Sequence, residues 1–157
     1  MFFYICCVKI EQAIQQASFD NSLHKAVINL VYTSNWMRDK QNQLFKPYGI
    51  LPQHFNVMKI LKGKHPELVS PSYIKEVMLD KAPDLTRLVD KLVQKGWASR
   101  KQCEQNRRMV EIGLTEKGVK VLEVLNEQVK ANATSLQNRL TETEAEQISD
   151  LLDKLRD

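Results

Sequence analysis

The sequence predicts a mainly α-helical chain with one small β-hairpin, and three observations carry that prediction. Leu85, Leu88, Val89, Leu92 and Val93 recur at i, i+3, i+4, i+7 and i+8, the spacing of an amphipathic helix. Gly96 follows as a helix stop, and Val110, Ile112 and Leu114 then alternate with Glu111 and Gly113, the period of a half-buried strand. Between them, Gln102–Arg108 holds no apolar residue except Cys103 and carries Arg107 and Arg108. A helix with a basic face followed by a basic hairpin is the layout of a winged helix-turn-helix. In it one helix enters a DNA major groove and the hairpin reaches a neighbouring minor groove.

The other elements follow in chain order. Lys9 to about Phe45 is mostly helical, with a break at Ser18–Asn21 where Ser, Asp and Asn favour caps and turns. After the break Leu23, Val27, Leu30, Val31 and Ser34 share one face. Pro47–Gly49 ends this helix and Pro52 opens the next, with Phe55 and Met58 as core. Lys62–Glu67 reads as a loop. Ser70 and Pro71 form an N-cap and N1 pair for a third helix with Ile74, Val77 and Met78 inward. Asp80–Ala82 is a turn, and Pro83 starts the fourth helix. Strands are expected at Trp97–Lys101 and Met109–Leu114. Thr115 caps a long fifth helix through Val121, Leu122, Leu125, Val129, Leu136 and as far as Leu140. Thr141–Glu144 is a capping box for a last helix with Ile148, Leu151, Leu152 and Leu155 on one stripe.

This order divides the chain into an apolar extension (1–8), an N-terminal dimerisation region (9–46), a winged helix-turn-helix (47–118) and C-terminal dimerisation helices (119–157). A helix of ~25 residues does not fold back within a small winged domain, so its stripe needs a partner. Leu23, Val27, Leu136, Leu140, Ile148, Leu151, Leu152 and Leu155 are therefore the candidate homodimer interface; the rival arrangement is a monomeric bundle.

Composition narrows the classes. With 157 residues, 43% hydrophobic and 27% charged, the chain is one domain's worth of ordinary globular protein. The net charge of +4 decides little, but its distribution is uneven. From Lys81 to Arg108 eight bases face three acids, a local charge of +5; from Leu140 to Asp157 two bases face six acids, or −4. A basic reading head set against an acidic tail suits a polyanion bound on one side. The plainer alternative is a solvated charged face. Cys6, Cys7 and Cys103 make neither a metal-ligand spacing nor a disulfide framework, which points to a reducing, cytoplasmic compartment. Met1–Val8 is far short of the ~20 residues that span a bilayer, so no membrane role is expected. His24, His54 and His65 form no metal motif, and no glycine-rich phosphate loop or nucleophile elbow is present; neither a cofactor nor catalysis is expected.

The DNA-reading candidates follow from position. Ser72 and Lys75 sit on the helix before the reading helix and are placed for backbone phosphates. Thr86 and Arg87 lie early enough in the reading helix to reach base edges, with arginine suited to guanine. Lys91, one turn on, suits a phosphate. Lys81 and Lys101 extend the basic patch. Arg107 and Arg108 at the hairpin tip fit a narrow minor groove. A structural alternative exists for Arg87, since Asp84 and Asp90 both stand three residues away on its own helix.

Three stretches, LPQHFNVMKIL (Leu51–Leu61), MLDKAPDLTRLVDKLVQKGWASR (Met78–Arg100) and NRRMVEIGLTEKG (Asn106–Gly118), resemble the MarR family of multiple-antibiotic-resistance regulators. The resemblance extends from about Leu23 to Arg156. It implies a dimer joined by its first and last two helices, bound to a pseudo-palindromic double-stranded DNA operator as a repressor or, less often, an activator. It maps the family's wing arginine onto Arg108. Asn106 stands where the family usually has an aspartate that braces this arginine, which removes a charge-assisted bond. Asp80–Arg87 is one residue longer than the commonest family form. Many relatives are released from DNA by a small aromatic ligand, for which Tyr32, Trp36, His54 and Met58 are the pocket candidates; the same four also read as plain core and interface residues. The alternative to a regulator is a winged-helix protein-interaction module without DNA binding.

Overall fold

The computed structural model describes residues 8–80, 84–102, 110–137 and 139–156, apart from the side chains of 135–137. The chain divides into two compact units, Met1–Gln43 and Leu44–Asp157.

In the first unit a short helix α1 (Ile10–Ala13) precedes the long helix α2 (Ser22–Phe45), whose last two residues belong to the second unit. The break is wider than the expected Ser18–Asn21, since α1 already ends at Ala13 and α2 starts at Ser22. Asn21 Oδ1 accepts the His24 N–H at 2.8 Å and supplies the N-terminal cap. The Lys25 ammonium donates to the Glu11 carboxylate, tying α2 back to α1. Leu23, Val27, Leu30 and Val31 are all exposed along α2.

The second unit opens with a 3-10 turn (Lys46–Tyr48) that ends on Gly49 at φ 62°, a left-handed conformation suited to glycine. Then come α3 (Pro52–Lys64), α4 (Pro71–Val77), α5 (Leu85–Gln94), β1 (Ala98–Gln102), β2 (Val110–Leu114), α6 (Glu116–Gln137) and α7 (Glu142–Arg156). β1 and β2 pair antiparallel, from Ala98 opposite Leu114 to Gln102 opposite Val110. Val69 bridges to Ile112 through two backbone hydrogen bonds of 2.9 Å and extends the wing's base. Phe45, Val57, Met58, Leu61, Ile74, Val89, Leu92, Ile112, Leu122 and Leu125 are fully buried, so one core gathers α3, α4, α5, β2 and the first half of α6. This is a winged helix-turn-helix.

Caps set the element boundaries. Ser70 Oγ accepts the Tyr73 N–H at 3.2 Å, as expected of Ser-Pro at a helix start. α5 closes with a Schellman motif: Gly96 at φ 70°, its N–H on Val93 O and the Trp97 N–H on Leu92 O, both at 2.9 Å. Thr115 accepts the Gly118 N–H at 3.0 Å and donates to Gly96 O at 2.8 Å, so one hydroxyl caps α6 and holds the end of α5. The Thr141–Glu144 capping box forms in both directions.

Several expectations need correction. Lys62–Lys64 is helical rather than loop. The stop is Pro66, which drives His65 out of the α region (ψ 133°), while Lys62 and Lys64 complement the negative end of the dipole. Val77 is exposed, because Ile74 within the helix and Met78 at its extended C-cap supply the buried side chains. Val93 is also exposed, at the edge of the α5 stripe next to its C-terminus. α5 begins at Leu85 with Asp84 as its N-cap; Pro83, the expected start, lies outside the described residues. β1 starts at Ala98 and includes Gln102, one residue later than expected.

Candidate nucleic-acid interface

The candidate reading head is the outward face of α5. Leu85, Leu88, Val89 and Leu92 turn into the core, which leaves Thr86, Arg87, Asp90, Lys91 and Gln94 exposed on the opposite side. α4 presents Ser72 and Lys75, both exposed, and β1 presents exposed Lys101. Lys81, Asn106, Arg107 and Arg108 lie outside the described residues.

Two carboxylates shape this face. Asp84 Oδ1 accepts the Arg87 N–H at 3.1 Å, and Asp84 Oδ2 lies 2.8 Å from Arg87 Nε. The structural alternative foreseen for Arg87 is thus present, and the same aspartate caps the helix. Asp90 Oδ1 meets Arg100 Nη1 at 2.8 Å and ties the middle of α5 to β1, fixing the wing's base against the reading helix. Sequence reasoning foresaw the Arg87 pairing but missed the cap and the bridge to Arg100. The signal for the first was Asp-Leu-Thr-Arg, a preferred cap residue three before the helical arginine. Nothing local signals the second, since the partners lie ten residues apart on different elements.

The four pocket candidates differ in exposure. Tyr32 is exposed on α2, and Trp36 on the same helix is half-buried with the Lys40 ammonium 4.6 Å from its ring centroid. Met58 is fully buried core. An open groove of about 770 Å³ runs along the α3–α6 seam, with Phe55, Lys59, Val124 and Lys130 among its walls.

His54 is 7% exposed, and its Nδ1 accepts the Leu51 N–H at 3.0 Å, half of a capping box at the start of α3. Burial, joined by the positive field of Lys91 and Lys95, holds its pKa below the usual 6.5. The unfolded chain then takes up a proton near pH 6.5 before the folded chain does. Stability is full above that pH and falls as the pH drops through it toward the lower folded value. The loss is about 1.4 kcal/mol for each pH unit separating the two. Urea midpoints across pH 5 to 8 should show this slope in the wild type and a flatter one in His54→Gln, whose amide keeps the capping acceptor. Equal slopes would remove His54 as the cause.

The candidate dimer residues Leu23, Val27, Leu140, Ile148, Leu151 and Leu155 are each at least 39% exposed, and α7 buries no residue. Leu152 is partly covered, and the Leu136 side chain lies outside the described residues. Among the described residues no helix is long and apolar enough to cross a membrane.

Known proteins share this architecture. The MarR family profile matches residues 52–110, from the start of α3 to the first residue of β2. The transcriptional repressor MprA of Escherichia coli is 29% identical over 118 residues, 74% of this chain and 66% of MprA, so the match spans just under two thirds of that relative. The crystal structure of a MarR transcription factor from Planctomyces limnophilus superposes with a TM-score of 0.68 at 29% identity, covering 87% of this chain and 98% of that one. A mutant MarR from E. coli complexed with operator DNA superposes with a TM-score of 0.69 at 27% identity, covering 81% and 91%. Over the helix-turn-helix and the first strand of the wing the chain matches the MarR family profile, and its fold resembles that of solved MarR regulators.

Proposed function

We propose that the chain is a sequence-specific transcriptional regulator that binds double-stranded DNA. The observation that carries this reading is the exposed polar face of α5, with Thr86, Arg87 and Lys91 outward, presented by a helix-turn-helix whose fold matches a relative complexed with operator DNA. Residues 47–118 are the DNA-binding domain, while 9–46 and 119–157 join two copies through the exposed stripes of α2, α6 and α7. A two-fold dimer reads a pseudo-palindrome, one half-site per reading helix. The likeness to MprA favours repression. Release by a small aromatic ligand stands on the family resemblance, as does the cytoplasm as its place of action.

Salt tests the central claim. A dimer neutralising on the order of 8 phosphates has a log–log slope of affinity against salt near −7. From 50 to 200 mM salt the affinity should fall by about 10⁴-fold. Fluorescence anisotropy with DNA from upstream of the protein's own gene, against scrambled DNA, measures it. Arg87→Ala should relax sequence preference, and Arg108→Ala should weaken binding. Weak, equal binding to both DNAs, indifferent to both substitutions, would leave the protein-interaction module as the better account.

A further inference from the structure

Asp84 holds Arg87 twice, by its backbone N–H and by its side-chain Nε. The arginine side chain is nevertheless 88% exposed, so the guanidinium is fixed at its inner edge and open at its outer one. Guanidinium is a rigid plane of five donors. With Nε engaged, the two Nη groups remain as donors, and such a pair matches the O6 and N7 acceptors of guanine in the major groove.

The carboxylate also changes what Arg87 offers to a phosphate. An arginine paired with aspartate is locally neutral. It displaces few counterions and adds little to sequence-independent binding. The acid is favoured where it stands by the positive end of the helix dipole, and as an N-cap it satisfies an orphan N–H. Facing a polyanion it is a cost unless the geometry it imposes is used.

We propose that Asp84 is a specificity-determining residue, positioning Arg87 for end-on reading of a guanine and cancelling the charge that would otherwise grip any phosphate. This rests on the DNA-binding reading above. Asp84→Asn separates its tasks, since asparagine caps a helix as well as aspartate does but carries no charge.

The full-length protein first selects duplexes from a random-sequence pool, and the selected duplex and a scrambled one are then titrated across a salt series. For Asp84→Asn the affinity for scrambled DNA should rise, and the salt slope should steepen by about one per protomer. The ratio of selected to scrambled affinity should fall on the order of tenfold. The urea midpoint should fall only slightly, by the lost dipole interaction, since the cap is kept. In an Arg87→Ala background the same change should leave the ratio where it is. An unchanged ratio in Asp84→Asn alone, or an equal fall of the ratio in both backgrounds, overturns the proposal and leaves Asp84 a cap. If the wild type selects no sequence, the regulator reading fails and takes this one with it. Selection by the wild type with an indifferent Asp84→Asn sinks this proposal only.

Discussion

Gly118→Ala should be among the most damaging single-methyl additions available in this chain, costing on the order of 3–5 kcal/mol. A Cβ at Gly118 would lie 2.0 Å from the Trp97 carbonyl oxygen, 2.9 Å from its carbon and 3.0 Å from a Leu114 methyl. Two of those atoms are backbone, so no side-chain rotation relieves the clash. Either the start of α6 or the base of the wing must shift. The shift breaks the Thr115 N–H bond to Trp97 O (3.1 Å) and strains the Thr115 cap. Against a typical total of 5–15 kcal/mol, that is a large fraction. Gly63→Ala is the control. It sits inside α3 with nothing within 4 Å of the added carbon, and alanine there should be neutral or stabilising by up to about 1 kcal/mol. Urea denaturation of both variants measures the contrast. Equal midpoints would show that the α6–wing approach is looser than described.

Phe45→Ala is the second large effect. The ring is fully buried and stacks on Phe55 at 5.0 Å between centroids, with 29° between the planes. Removing it leaves a cavity among α3 and its neighbours, and such truncations cost about 3–5 kcal/mol. Phe45→Leu fills most of the space and should cost less than half as much. Leu79, 90% exposed, is the comparison: Leu79→Ala should stay within about 0.5 kcal/mol. Thermal melts of the three variants rank them. A Phe45→Ala protein as stable as Leu79→Ala would mean the aromatic pair does not anchor this core.

Much of this architecture was legible where local chemistry and burial agree. The α5 stripe, the Ser70 cap, the Gly96 stop, the Thr115 cap and the Thr141 box each need only neighbours in sequence, and each formed. Legibility failed where two local signals competed. Pro83 and Asp84 both advertise a helix start, and the aspartate took the cap. It failed also where a partner was distant. Nothing near Arg100 announces Asp90, and nothing in Lys-Gly-Val around Gly118 announces the Trp97 carbonyl beside it. Val77 and Val93 mark a third limit. Periodicity says which side of a helix is apolar, but only the neighbouring elements decide how far the covered stripe extends.

The two halves of α6 stand in different circumstances. Val119, Leu122 and Leu125 are buried and Val129 is packed on the core, while residues 130–134 are exposed throughout. Substitutions in the first half are therefore filtered by a core the chain itself supplies, and are rejected or tolerated whatever else the protein meets. Those in the second half are filtered only by whatever covers it. One continuous helix thus carries a root held by the core and a crown free to change what it meets, and a change in the crown leaves the core intact.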